Sequence, residues 1–226
     1  MMRYRCLFPS IGLVLVSLAP AVAVAQAEPS GVYLTAYGQF TRIGASSLSE
    51  SGAQGAGSGL RASFGRGLGG GGDLGYRFGN GWAAEVEWNY RTHALSSLRQ
   101  SSTTLATSGD FASNTILVNG LRRFTSTAPL TPYLGAGLGW ILEIDLDIKP
   151  GSGGPSRAYS RSGKVAPQLI AGVEYALSPK LRLVSDARWL RAGPIRSDNA
   201  TGNSGGSIAS PNYNPLSLQV GLRVGF

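Results

Sequence analysis

The chain is short of the residues that build metal centres, disulfide frameworks and solvated surfaces. Its 226 residues include one histidine, His93, and one cysteine, Cys6. Neither a His/Cys metal site nor a disulfide framework is therefore expected. Only 14% of residues are charged, against about 25% in soluble domains, which argues against a coiled coil and a highly charged disordered chain. No apolar run reaches the about 20 residues that a membrane-spanning helix needs. In excess are glycine, at 33 residues, or roughly twice its usual ~7% share, and basic residues, with 20 Lys and Arg against 12 Asp and Glu for a net charge of +8. The length suits one domain, because all-β barrels of this size are commonly single units.

The N-terminus reads as an export address. Arg3 and Arg5 precede an apolar run from Ile11 to Ala25, and Ala23-Val24-Ala25 is an A-x-A cleavage site. Cleavage between Ala25 and Gln26 is expected, giving a signal peptide over residues 1–25 and a single domain over 26–226. Cys6 precedes the apolar run and leaves with the leader, so the mature chain has no cysteine.

From Gln26 onward the hydropathy alternates with period two and no helical period is sustained. The C-terminus is the clearest case: Leu216, Leu218, Val220, Leu222, Val224 and Phe226 share one face, with Ser217, Gln219 and Arg223 between them. Trp82, Ala84, Val86, Trp88 and Tyr90 alternate with Glu85, Glu87, Asn89, Arg91 and His93. A third run, Leu134 to Ile148, puts Leu142, Ile144 and Leu146 on its apolar face and Gly135, Gly137, Gly139, Glu143, Asp145 and Asp147 opposite. Weaker alternation covers residues 31–42, 66–78, 115–124, 165–177 and 181–191, which completes eight segments. Short turns such as Gly79-Asn80-Gly81 and Ser178-Pro179-Lys180 alternate with four long polar stretches near 44–65, 96–113, 149–163 and 192–212, expected to be mobile loops.

Eight antiparallel strands with short turns at one end and long connections at the other predict an all-β, up-and-down transmembrane β-barrel behind a cleavable signal peptide. A secreted β-sandwich would also alternate. The barrel is favoured by strands of about 10 residues or more, long enough to cross lipid at a tilt. It is favoured too by aromatics near the ends of the apolar faces: Tyr76, Phe78, Trp82, Phe124, Tyr175 and Phe226 toward the short turns, and Phe40, Tyr90 and Trp189 toward the long connections.

The leader, the paired strands, the segment Pro132-Tyr133-Leu134-Gly135-Ala136-Gly137-Leu138-Gly139 and the terminal Val224-Gly225-Phe226 resemble the small opacity-type and OmpA-type outer-membrane β-barrels. The resemblance covers nearly all of the mature chain. It implies an outer-membrane location, periplasmic termini and a structural, surface-interaction or adhesin-like role through the extracellular loops. It also implies that Val220, Leu222, Val224 and Phe226 form the signal read by the barrel-assembly machinery. Leu121, Arg122 and Arg123 depart from the family pattern, which leaves the register of the fourth strand open, and glycines dilute the second.

The faces imply a filled interior, since eight strands enclose little more than side chains. The expected inward acids are Asp73, Glu85, Glu87, Glu143, Asp145, Asp147, Glu174 and Asp186, and the inward bases are Arg77, Arg91, Arg123, Arg182, Arg188 and Arg223. Buried charges must pair, so this near balance reads as a salt-bridged plug; a narrow porin-like path for ions or small solutes is the alternative. Arg42, Arg66 and Arg191 close the apolar faces of their strands, and further basic residues in the loops suit the phosphates of lipopolysaccharide and other outer-membrane lipids. A host or envelope ligand at the loops is a further expected partner, while basic residues scattered through an exported barrel do not suit nucleic acid. His93 near Ser96 and Ser97 also admits a lipid A-modifying hydrolase, the least favoured reading. The glycine-rich stretch 65–75 lacks the Gly-Lys-Ser/Thr ending of a phosphate loop, and Glu143, Asp145 and Asp147 lack calcium-loop spacing. No catalytic, metal or cofactor site is expected.

Overall fold

A computed structural model describes residues 30–44, 46–51, 60–100, 103–105, 107–124, 129–150, 157–199 and 207–226. The expected leader, with Ala23, Ala25 and Gln26, lies outside them. The strands are β1 (Gly31–Arg42), β2 (Ser46–Ser51), β3 (Leu60–Phe64), β4 (Gly67–Phe78), β5 (Trp82–Gln100), β6 (Thr103–Leu105), β7 (Thr107–Arg123), β8 (Leu130–Pro150), β9 (Arg157–Arg161), β10 (Lys164–Ala176), β11 (Leu181–Leu190), β12 (Gly193–Asn199), β13 (Ser207–Tyr213) and β14 (Leu216–Gly225).

Eight of these close a barrel in the order β1-β4-β5-β7-β8-β10-β11-β14, with β14 returning to β1 through an antiparallel ladder from Tyr33↔Gly225 to Arg42↔Leu216. Closure pairs the backbone groups inside the wall, which lipid demands. The C-terminus is stitched in as well: the Phe226 amide donates to the Val32 carbonyl and the Gly225 amide to that of Lys180. The eight expected segments all lie in these eight strands. Their apolar faces point outward, including Phe40, Phe78, Trp82, Trp88, Phe124, Trp189 and the series Val220, Leu222, Val224 and Phe226.

The long connections are not all loop. β5, β7 and β8 run to 19, 17 and 21 residues, well beyond the 9–11 that cross a bilayer. Above the lipid-facing band they pair with strands from the connections. β8 takes β9, β9 takes β12, β12 takes β13, β13 takes β2, β2 takes β3, and β3 returns to β5. A second eight-stranded ring thus stands on the first, sharing only β5, β7 and β8 with it. The expectation of four mobile loops is corrected here: the chain uses its polar stretches to pair backbone groups that the long strands would otherwise expose. At two of the steps between rings the backbone turns through glycines with positive φ, Gly163 (79°) and Gly193 (64°), a conformation that side chains disfavour.

A second correction concerns β8. Thr115 pairs with Ile141, but the next residue down the sequence, Asn114, pairs with Glu143, so one extra residue bulges at Leu142–Glu143. A bulge offsets the alternation by one residue and exchanges the faces of everything beyond it. Ile144 and Leu146 therefore turn inward and are buried, while Glu143 and Asp147 are exposed and Asp145 half-exposed on the outside. The three acids expected in the lumen are not there. The open question on the fourth strand is settled in β7: Leu117, Leu121 and Arg123 point inward and are buried, and Arg122 faces outward, donating to the Asn80 carbonyl at 2.6 Å.

Candidate functional site in the barrel interior

Two arginines organise the lower interior. Arg188 on β11 donates from Nε to Asp186 at 2.9 Å, lies 3.5 Å from Glu85 and pairs with Glu87. Arg223 on β14 reaches Glu174 at 2.5 Å, Glu85 at 3.2 Å and Asp73 at 3.7 Å, and donates to Thr35 Oγ1 at 2.8 Å. Glu174 also takes Arg123 at 2.7 Å and Arg182 at 3.7 Å. Arg77 stacks on Tyr33, its guanidinium carbon 5.1 Å from the ring centre. The sequence-expected residues Asp73, Arg77, Glu85, Glu87, Arg123, Glu174, Arg182, Asp186, Arg188 and Arg223 thus meet in one layer. Five carboxylates face five guanidiniums there. Glu143 and Asp145 are not part of it, and Arg91 stands above it.

Neutral groups complete the layer, and these the charge pattern did not single out. Tyr33 donates to Glu85 at 3.1 Å, Tyr37 to Glu87 at 2.7 Å and Tyr133 to Asp186 at 2.6 Å. Asn119 bridges Glu85 and Glu87 at 3.2 and 2.9 Å. Their only signal in the sequence is that they share the parity of the charges. The glycines opposite them have the same origin. A Cβ on Gly172 would come 2.6 Å from Cζ of Tyr133, and one on Gly71 would come 2.5 Å from the Tyr37 hydroxyl. The glycine-rich β4 is therefore a thin wall over which large polar side chains lie flat.

The character changes upward. Gln39, Asn89 and Gln168 form an amide layer, with Gln39 donating to Asn89 at 2.7 Å. Above it come Arg91 and His93. Beyond them the interior is hydrocarbon: Leu95, Phe111, Ile144, Leu146 and Tyr213, with Phe64 packed against them, belong to one buried cluster that reaches down the wall to Leu117 and Leu190, which pair in register with Glu87 and Gln168. His93 is buried and edge-on to Phe111, with ring centres 6.1 Å apart. Neither ring nitrogen has a hydrogen-bond partner among the described residues. A Ser-His-acid site needs its histidine held by an acid, and His93 is not. Among the described residues no group of three or more His, Cys, Asp or Glu is placed to hold a metal ion.

A family model described as outer membrane protein beta-barrel domain matches residues 11–226. This chain belongs to that family. As a member it is an integral outer-membrane β-barrel protein. Among solved structures this outer-membrane barrel is similar to OprG from Pseudomonas aeruginosa, at 14% identity and a TM-score of 0.62, covering 87% of this chain and 96% of that one. It is similar also to Neisserial surface protein A, at 20% identity and a TM-score of 0.51 over 88% of this chain and 100% of that one. A major outer membrane protein from Thermus thermophilus follows at 15% identity and 0.52, over 87% and 99%. None of the curated proteins matches the sequence. At these identities the structural likeness concerns the fold.

The outer surface at the top of the lipid-facing band is polarised. Arg191, Arg42 and Arg66 are exposed at the upper ends of β11, β1 and the start of β4, on one arc of the wall. Diametrically opposite, on β7 and β8, Asp110 lies directly across from Asp147, with Glu143 and Asp145 on the same outer face.

Proposed function

We propose that this outer-membrane barrel is sealed and non-catalytic and works from its outer surface, as a structural or surface-interaction protein with adhesin-like contacts on its upper ring. One observation carries the reading: Arg188 and Arg223 tie carboxylates on β4, β5, β10 and β11 together across the lumen. Charges held this way are costly to separate in a low-dielectric interior, so the layer is a stopper and not an ion path. The arc of Arg42, Arg66 and Arg191 gives the protein a side that takes lipopolysaccharide phosphates. The terminal Val220–Phe226 face serves the barrel-assembly machinery, and the upper ring presents the surface for a host or envelope ligand.

The test is conductance of the purified protein in planar bilayers, with folding checked by heat-dependent gel mobility. A heat-modifiable, electrically silent protein is the expected result. Steady ion-selective steps would replace this reading with a narrow porin-like channel. For the lipid-facing arc, R42A/R66A/R191A should lower retention of lipopolysaccharide; unchanged retention would remove that partner.

A further inference from the structure

The lipid-facing wall carries two unlike faces. On β1 and β4 the outward residues Ala36, Gly38, Gly70 and Gly72 form a square of small side chains, Ala36 pairing with Gly72 and Gly38 with Gly70. Large exposed residues surround it: Phe40 and Leu68 above, Leu34 and Leu74 below, Val220 on β14 and Tyr90 on β5 to the sides. The result is a dent in the wall. The barrel itself does not require it at position 38, where a Cβ would meet no atom within 4 Å. On β7 and β8 the corresponding square is large. Ile116 pairs with Trp140 and Val118 with Leu138, and all four are exposed.

The upper edges of the two faces carry opposite charge. Arg42 and Arg66 end the outward faces of the dent's own strands, and Arg191 continues the arc at the end of β11. Above the large square stand Glu143, Asp145 and Asp147 of β8 and Asp110 of β7. Lys149, further up that face, offsets part of their charge. Asp110 and Asp147 lie directly opposite each other and repel. Among the described residues no ion pair engages Arg42, Arg66, Arg191, Asp110, Glu143 or Asp147. What each face lacks, in shape and in charge, stands on the other face of the same molecule. We infer that copies of this chain associate side by side in the membrane, head to tail. The Val118 and Leu138 face of one barrel seats against the Gly38 dent of the next, and its acids meet the neighbour's arginine arc. Lipid supplies no hydrophobic drive between spanning elements, so close packing on small residues and polar contacts hold them together. Two different faces meet, so each copy keeps a free face and the contact propagates into rows or rings. The inference does not rest on the lipopolysaccharide reading: where two barrels meet, the neighbour's carboxylates take the place of the phosphates.

The experiment is disulfide trapping of the purified protein in vesicles of zwitterionic lipid. Leu68→Cys puts a thiol at the rim of the dent and Val118→Cys puts one on the facing square; beyond the expected leader the chain has no other cysteine. A mixture of the two variants should form a disulfide-linked dimer. Either variant alone should not, because its thiols lie on the same kind of face. Reversing one arc, by R42E/R66E/R191E on the Leu68→Cys copy or E143K/D147K on the Val118→Cys copy, should cut the product about tenfold or more, since like charges then face each other. Reversing both together should restore it. Gly38→Leu fills the dent from the lipid side and should also cut the product, with heat-modifiability intact. No product above that of the single variants, a product insensitive to either reversal or to Gly38→Leu, or a loss that the double reversal does not restore would overturn the inference. Should Gly38→Leu not fold, the charge swap decides alone. E143K/D147K should leave lipopolysaccharide retention unchanged, which separates failure of this contact from failure of the lipid reading.

Discussion

Below Arg91 the interior is built on ions and amides, with Leu121, Ile170 and Val184 packed among them; above His93 it is filled with hydrocarbon. The difference follows from what lies outside the wall. The lower ring is surrounded by lipid, so its outward positions must be apolar and its inward positions take the polar residues. The upper ring rises beyond the lipid-facing band into water, and it packs as a soluble domain does, with Leu95, Phe111, Ile144 and Leu146 inside. Each long strand must therefore invert its polarity on the way up. β5 does so by composition: the inward series runs Glu85, Glu87, Asn89, Arg91, His93, Leu95 with no break in register. β8 keeps one continuous apolar alternation from Leu134 to Leu146 and inverts it with a single bulged residue.

The strongest way to break this comparison is to remove Arg188. Arg188→Met leaves Glu85, Glu87 and Asp186 facing one another without their shared partner. A loss of about 3–5 kcal/mol is expected for stripping one partner from a buried ion cluster. Urea unfolding in vesicles, followed by heat-dependent mobility, measures it, and it should fall on the whole barrel.

The upper ring should fail more locally. Ile144→Ala is expected to cost about 2–4 kcal/mol of local stability, read as protease nicking of the upper ring while heat-modifiability persists. Glu143→Ala, one position away on the outside, should stay within about 0.5 kcal/mol. Equal effects at the two positions would contradict the bulge.

The smallest effect is electrostatic. Burial, then the Glu143 and Asp147 carboxylates, raise the pKa of Asp145 above its ordinary value. A raised folded-state pKa means that the folded ring binds the proton more tightly than the unfolded chain does. The ring should therefore gain stability as pH falls through that raised pKa, and the penalty should be fully present at neutral pH. Asp145→Asn should abolish this gain, which amide exchange of the upper strands between neutral and mildly acid pH would record.

The outward faces were legible because lipid-facing residues alternate with period two over whole strands. The lumen residues Glu85, Glu87, Glu174, Arg188 and Arg223 were legible by the same parity. Tyr33, Tyr37 and Tyr133 shared it, but only the fold revealed them as hydrogen-bond donors to Glu85, Glu87 and Asp186. Glu143 and Asp145 were misplaced because a bulge leaves no mark in an alternating pattern: Leu134 to Ile148 alternates without interruption.

What the sequence determined by itself is therefore the number of membrane strands, their lipid face and the polar character of the lower lumen, since each depends only on local alternation and composition. The tertiary structure alone decided the second ring, the bulge and the place of Arg91 above the ion cluster. Those depend on which distant strands meet and in what register. One inserted residue, placed by pairing with β7, reverses every side chain beyond it and takes Glu143, Asp145 and Asp147 out of the lumen.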